Sequence, residues 1–100
     1  MPVAGKTYGF TKENVNQAPD SPGVYALLAQ DGSVIYYGRA TDSIRTRLQC
    51  HRRGDEGACT KAASSYKREV TSRPVAREKE LLTAYKAAYG RLPRCNERSA

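Results

Sequence analysis

The sequence predicts an α/β protein of the mixed, α+β kind, with a small three-stranded antiparallel sheet flanked by helices. Two segments at residues 23–29 and 33–37 are rich in Val, Ile, Leu and Tyr, as strands are. A third segment at residues 65–71 alternates in the manner of a strand. Apolar residues at helical spacing follow both the second and the third segment, so helices are expected to cover the sheet.

Composition and charge indicate a single domain with a nucleic-acid partner. One hundred residues allow one domain with a modest core, but the net charge of +7 and the pI near 9.6 are high for that length. Lys and Arg neutralise phosphates, and this supplies most non-specific affinity for nucleic acids. An anionic membrane surface is the competing partner, but no basic segment carries the large apolar face that membrane binding requires. No membrane partner is therefore expected.

The cysteines and the N-terminus predict a cytoplasmic protein. Cys50, Cys59 and Cys95 are odd in number, lie at unrelated spacings and form no CxxC pair, so free thiols in a reducing compartment are expected. The first ten residues contain no apolar signal segment. No run of residues approaches the length of a membrane span.

The turn of the predicted hairpin decides which side chains share a face. Asp31-Gly32 is typical of a two-residue, type I′ loop, and this loop places Tyr25 opposite Gly38. Tyr36 is then a diagonal neighbour of Tyr25 on the same face, and Gly38 leaves space there for a ligand. Tyrosines are also common in strands for packing reasons alone. The other face is expected to be the core side, with Val24, Ala26, Leu28, Ile35 and Tyr37.

Before the hairpin, residues 1–20 form an N-terminal extension. It is expected to hold one short helix, capped by Thr11 and stopped early by Pro19, with Tyr8 and Phe10 packed on the sheet.

A second, strongly basic helix is predicted after the hairpin, capped by Asp42 or Thr41 and ended at Gly54. Residues 39–53 contain five arginines and one acid, and Arg47 and His51 share a face because they are four apart. The planar fork of the guanidinium group suits phosphate, which favours nucleic-acid contact. A solvated face that only keeps the protein soluble is the alternative.

The C-terminal half contains one unusual acid. Residues 54–64 are expected to form a loop and residues 65–71 an edge strand, after which Pro74 opens a long helix that ends at Gly90. The apolar stripe of that helix contains Val75, Leu81, Leu82, Tyr85, Ala88 and Tyr89. Glu78 falls inside the stripe, whereas Glu80 does not. A buried carboxylate is costly unless it is paired or binds a metal, so Glu78 is either a metal ligand or half of a structural ion pair with an arginine.

These motifs together resemble the GIY-YIG nuclease family. Gly23-Val24-Tyr25 is followed about ten residues later by Tyr36-Tyr37-Gly38, then by the arginine helix with its trailing histidine and the helix that contains Glu78. The segment near Asn96 is similar to the closing part of the family domain, so the likeness spans residues 21–96 and leaves 97–100 as a tail. Val24 and Tyr37 replace the two isoleucines of the family name.

The resemblance implies metal-dependent hydrolysis of DNA. Tyr25 would act as the base or orient the water, Arg47 would stabilise the charged transition state, and Glu78 would hold one Mg²⁺ or Mn²⁺ ion. Tyr36 and His51 would contact the phosphate or the water. A positive neighbour would have to lower the pKa of Tyr25. The resemblance further implies four contacts to the DNA backbone, from Arg39, Arg45, Arg52 and Arg53. It also identifies Gly23 and Gly38 as the glycines of the two motifs.

Two other functions remain open: a nucleic-acid-binding module of the same fold without turnover, and a small interaction protein, which the charge disfavours. As an enzyme, the chain is expected to select DNA by structure or with weak specificity. A targeting protein or a second copy would otherwise have to direct it.

Overall fold

The computed structural model describes Val3 and residues 5–98. The elements in chain order are β1 (Tyr8–Gly9), α1 (Lys12–Asn16), β2 (Gly23–Leu28), β3 (Val34–Ala40), α2 (Ile44–Arg53), α3 (Ala58–Lys61), β4 (Ser65–Val70), α4 (Pro74–Tyr89) and α5 (Arg94–Arg98). The predicted fold class is confirmed, since helices flank an antiparallel sheet. The sheet has four strands rather than three, in the order β1-β4-β2-β3.

The additional strand, β1, changes the position of β4. Tyr8 pairs with Tyr66, so β4 lies between β1 and β2 at this end and is not the edge strand that its charges suggested. Two of its charged side chains instead have partners: Arg68 donates to the Tyr8 hydroxyl at 2.8 Å, and Glu69 forms an ion pair with Arg77 at 2.8 Å. A strand of two residues is too short for an alternating pattern, which is why the sequence did not predict β1.

The register of the β2–β3 hairpin is confirmed, but its predicted turn is wrong. Tyr25 pairs with Gly38 as expected. The Ala29 amide donates to the Ser33 carbonyl at 2.8 Å, so the loop has three residues, and no described non-glycine residue has the positive φ that a type I′ turn needs at Asp31. A bulge next to Leu28 then restores the expected pairing.

Helix α2 begins and ends by local chemistry. Its cap is Ser43 rather than Asp42 or Thr41: the Ser43 hydroxyl accepts from the Thr46 amide, while Asp42 accepts from the Ser43 amide. Gly54, with φ of +89°, ends the helix as predicted. The Thr11 cap of α1 is confirmed as well. The segment 54–64 is not a plain loop, because it contains α3.

Both faces of the sheet are covered, so the expectation of one core side was wrong. Helices α1 and α2 pack against the face that carries Tyr25 and Leu27, and α4 packs against the face of Val24 and Ala26. The bulge also turns Ile35 to the Tyr25 face. The predicted stripe of α4 is too wide, since Val75 and Tyr89 are 54% and 67% exposed. Only the middle of α4 rests on the sheet.

A disulfide joins Cys59 in α3 to Cys95 in α5, which lies across β3. The prediction of three free thiols is therefore wrong, and only Cys50 is free in the described part of the chain. The separation of 36 residues carries no sequence signal of pairing. Among the described residues, no helix has the length and apolar character needed to cross a membrane.

Candidate active site

A cleft of about 660 Å³ runs along β3, which is an edge strand of the sheet. Successive residues of β3 point to opposite faces, so Tyr36 lies on the α2 side and Arg39 on the α4 side. Helix α2 contributes Arg47, and α4 contributes Glu78. The full lining is Tyr36, Arg39, Thr41, Asp42, Arg47, Glu78, Leu82, Leu92 and Asn96. The edge of the sheet thus collects side chains that are far apart in sequence.

Asn96 closes the edge of β3 beside this cleft. Its side chain accepts from the Tyr37 amide and donates to the Tyr37 carbonyl, both at 2.9 Å. These bonds replace those of a neighbouring strand and fix α5 against β3.

The two motif glycines make room for neighbouring atoms. A Cβ on Gly38 would overlap the Tyr25 ring and hydroxyl, and a Cβ on Gly23 would overlap the Glu69 carbonyl and the Ile44 side chain. The space beside Gly38 therefore holds Tyr25 itself, and the expected approach of a ligand there was wrong. Glycine is required at both positions because any side chain would displace the packed site.

Beneath the cleft, a buried hydrogen-bonded chain runs through three side chains. The Tyr25 hydroxyl lies 2.7 Å from Nε2 of His51, and Nδ1 of His51 lies 2.8 Å from the Thr60 hydroxyl. Tyr25 and His51 have no exposed surface and Thr60 is 3% exposed. His51 is thus placed to exchange a proton with Tyr25, but it does not reach a phosphate in the cleft as the sequence suggested.

Burial sets the protonation states of Tyr25 and His51 in this hydrogen-bonded network. Burial raises the pKa of Tyr25, with Tyr36 adding to the rise, and the opposing charge of Arg47 does not overcome it. The expectation of a lowered Tyr25 pKa was therefore wrong. Burial also lowers the pKa of His51 to about 4, helped by Arg47 and opposed by Glu56. Near neutral pH the phenol keeps its proton and the imidazole is neutral.

Arg47 lies between the buried hydrogen-bonded side chains and the cleft. Its guanidinium lies against the Tyr25 hydroxyl and binds the Glu56 carboxylate at 3.2 Å. Its side chain is 32% exposed, so it reaches the cleft as well. A fixed positive charge therefore lies between the Tyr25 oxygen and any anion that enters.

Two carboxylates line the cleft, Asp42 and Glu78, and Glu78 is the one that the family resemblance assigns to a divalent cation. Glu78 accepts from Arg39 through Oε1 at 2.9 Å, and its side chain is 16% exposed. Mg²⁺ commonly uses one or two carboxylates together with waters and substrate phosphates, so a single glutamate in an open cleft is a donor set of the kind that fits it. In the part of the chain that the structure describes, no three His, Cys, Asp or Glu side chains cluster as a complete cage. The ion pair with an arginine, one of the two predicted roles of Glu78, is therefore present, and the role as a metal ligand stays a prediction.

The remaining predicted nucleic-acid contacts lie outside this cleft. Arg45 donates from Nε to the Ala18 carbonyl at 2.9 Å, which connects α2 to the segment after α1. Arg53 pairs with Asp55 at 2.8 Å. Arg52 and Arg53 border a separate groove with Lys12 and Gln49, between α1 and α2. Arg39 alone of the four lines the cleft.

Sequence reasoning missed Thr60 and Glu56, which contact His51 and Arg47. Both lie in the segment 54–64, which carries no periodic pattern. An isolated threonine and an isolated glutamate in a polar segment give no signal that they contact residues of the site.

The buried histidine predicts a pH-dependent stability. The pKa of His51 falls from its ordinary 6.5 to about 4 in the fold, so near pH 5 the unfolded chain binds a proton that the folded chain does not. Lowering the pH from about 7 to about 5 should therefore reduce the free energy of unfolding by about 2 kcal/mol. Urea unfolding at both pH values measures this. His51→Asn should remove most of the difference, and a constant value in the parent chain would contradict a buried neutral imidazole.

Comparisons with known proteins agree with the fold. The GIY-YIG N-terminal endonuclease domain of UvrC from Thermotoga maritima, in a structure bound to magnesium, has 22% identity and a TM-score of 0.65, with 84% of this chain and 92% of that domain covered. A point mutant of that domain, bound to its catalytic divalent cation, gives 21% identity, a TM-score of 0.65 and coverages of 84% and 91%. At this identity the likeness concerns the fold alone.

Two sequence comparisons bear on the family. The UvrABC system protein C of Geobacter metallireducens is 40% identical over 42 residues, which are 42% of this chain but only 7% of that protein. A family model described as the GIY-YIG catalytic domain matches residues 21–89, well over half of the chain. The family that the two tyrosine motifs predicted is confirmed, and the chain belongs to the GIY-YIG catalytic domain family.

Proposed function

We propose that the chain is a metal-dependent DNA endonuclease that hydrolyses phosphodiester bonds in the cleft along β3. One observation carries the proposal: Arg47 and Glu78 line the same cleft from opposite faces of the sheet. A scissile phosphate in the cleft would meet a fixed positive charge and a carboxylate together. A binding module needs the arginine but has no need of the glutamate as a metal ligand.

Arg47 and Tyr36 are the proposed phosphate contacts. The guanidinium donates in a planar fork to two phosphate oxygens, and its charge opposes the negative charge that builds up in the transition state. Tyr36 is half-buried at the cleft wall, and burial raises its pKa, so its hydroxyl remains a hydrogen-bond donor near neutral pH.

Tyr25 and His51 are the proposed proton path. The attacking water gives a proton to the Tyr25 oxygen while the Tyr25 proton moves to Nε2 of His51. Tyr25 then never carries a full negative charge, which its raised pKa disfavours. Tyr25 is covered, so half-buried side chains beside it, including Arg47, must shift as DNA enters.

Glu78 is the proposed ligand of Mg²⁺ or Mn²⁺. When bound, such an ion neutralises charge on the phosphate and on the leaving oxygen. Arg39 holds the Glu78 carboxylate at the cleft wall through the 2.9 Å bond at Oε1.

Target selection is proposed to depend on DNA structure or on a partner. The chain matches only 7% of the length of the Geobacter relative, so the substrates of that protein do not transfer directly. We propose DNA as the substrate, cut with structural or weak preference, and directed where needed by a targeting protein or a second copy.

A binding module without turnover is the second candidate. The covered Tyr25 hydroxyl and the existing pair between Glu78 and Arg39 favour it, because both would also stabilise an inactive domain. Cleavage decides between the two candidates.

The test is cleavage of plasmid, branched and flap DNA in Mg²⁺, in Mn²⁺ and in EDTA. The proposal expects cleavage of at least one substrate with either ion and none in EDTA. DNA binding without cleavage of any substrate would favour the binding module.

Binding should weaken steeply with salt. We expect about three to five phosphate contacts, which release counterions and give a slope of roughly −3 to −4.5 in log affinity against log salt. Fluorescence anisotropy with a labelled duplex in EDTA measures the slope. Arg52→Ala should make the slope about one unit shallower, by removing one contact. Affinity that does not change with salt would contradict the electrostatic argument.

A further inference from the structure

We propose that Thr60 is a positioning residue: its hydroxyl oxygen holds His51 in the tautomer whose Nε2 accepts the Tyr25 proton. The catalytic consequence rests on the function proposed above. The tautomer itself is a property of the folded chain and is testable without DNA.

The direction of the buried hydrogen bonds follows from the available protons. Arg47 has only donors and its positive charge lies beside the Tyr25 hydroxyl, so the Tyr25 oxygen turns its lone pairs toward Arg47 and its proton away from it. The single phenol proton must then go to the other neighbour, Nε2 of His51, at 2.7 Å. A neutral imidazole has one N–H, which is therefore on Nδ1 and points to the Thr60 oxygen at 2.8 Å. All the hydrogen bonds of this buried network therefore donate in a defined direction: Tyr25 donates to His51, and His51 donates to Thr60.

Thr60 is held rigidly enough to select this tautomer. It is buried, and α3 is tied by the neighbouring Cys59 to Cys95 in α5. Asn96, the next residue of α5, is fixed to β3 at Tyr37. The acceptor for His51 is thus joined by a disulfide to α5, and α5 is held by hydrogen bonds to the strand that forms the wall of the cleft.

Without an acceptor at position 60, the preference for the Nδ1–H tautomer should weaken. A valine would leave Nδ1–H buried and unpaired, which is costly. Moving the proton to Nε2 gives the imidazole N–H a partner in the Tyr25 oxygen but leaves the phenol proton without an acceptor, so the two tautomers become closer in free energy. In the Nε2–H tautomer, His51 cannot accept the phenol proton at Nε2.

His51 is the only histidine of the chain, so its ring nitrogens are observed without overlap. Long-range proton–nitrogen NMR spectra of histidine-labelled protein near neutral pH report which nitrogen carries the proton. The parent chain and Thr60→Ser should show it on Nδ1, and Thr60→Val should shift it toward Nε2. Cleavage should fall about tenfold in Thr60→Val, the worth of one hydrogen bond, and Thr60→Ser should restore it.

Three outcomes would overturn the proposal: a parent chain with the proton on Nε2, a Thr60→Val variant with an unchanged tautomer, and a Thr60→Val variant that melts earlier but cleaves at the parent rate. Thr60→Ala is the second variant if valine prevents folding. A tautomer that behaves as expected in a chain that never cleaves would support the role of Thr60 on His51 and refute only the proposed function.

Discussion

Replacing Glu78 with alanine is expected to abolish DNA cleavage while DNA affinity in EDTA stays close to that of the parent chain. The substitution removes the carboxylate that suits a divalent ion in the cleft, so charge on the leaving oxygen is no longer neutralised. The fold should tolerate the change. Arg39 loses its partner, but its side chain is 49% exposed and water replaces the bond, so the cost should be below about 1 kcal/mol.

Glu80→Ala is the matched control for this experiment. Glu80 lies two residues further along α4, is 62% exposed, and is also bound to an arginine, Arg77. Its removal should leave cleavage unchanged. Cleavage that survives in Glu78→Ala but not in Glu80→Ala would mean that the wrong face of α4 had been assigned. A melting temperature that falls by many degrees in Glu78→Ala, in a chain that never cleaves, would identify Glu78 as a structural ion-pair partner.

Replacing Arg47 with alanine should reduce the rate of the chemical step by about 10² to 10³, the usual cost of removing one donor to a charged transition state. The pKa values of the buried, hydrogen-bonded side chains should also change in a specific direction. Arg47 lowers the pKa of His51 and opposes the rise at Tyr25, so its loss should bring the pKa of His51 back toward its ordinary value and raise the pKa of Tyr25 further. Glu56 also loses its partner, but it is exposed and stays solvated.

Single-turnover cleavage with saturating protein separates the chemical step from binding. Arg47→Lys, which keeps the charge without the planar fork, should lie between the alanine variant and the parent. Arg52→Ala should weaken binding and leave the single-turnover rate unchanged. An Arg47→Ala variant whose loss lies entirely in affinity, with the parent rate at saturation, would show that Arg47 only binds the DNA backbone.

The parts of this fold that the sequence predicted are those where several residues repeat one signal. Alternation and a turn motif fixed the pairing of Tyr25 with Gly38, even though the turn was of another type, because the bulge offset the longer loop. The position of Glu78 within the helical stripe was likewise readable, since the middle of the stripe, with Leu81 and Leu82, packs on the sheet.

What the sequence did not predict depends on single contacts between distant segments. Thr60 contacts His51 only because α3 folds back on α2, and nothing near Thr60 encodes that return. The disulfide of Cys59 depends on α5 crossing β3. The pKa of Tyr25 depends on the burial of its own face by α1 and α2, whereas the sequence suggested that only the opposite face is covered.

The most direct test of the central claim, that Glu78 holds the ion in the cleft along β3, is paramagnetic broadening by Mn²⁺ in proton–nitrogen spectra of the chain. Signals of the cleft residues Arg39, Glu78 and Leu82 should broaden first. Those of β1 should persist, since β1 lies about 14 Å away across the sheet at three strand spacings. Glu78→Gln should abolish the effect and Glu80→Gln should preserve it. Broadening centred away from the cleft, or unchanged in Glu78→Gln, would contradict the claim.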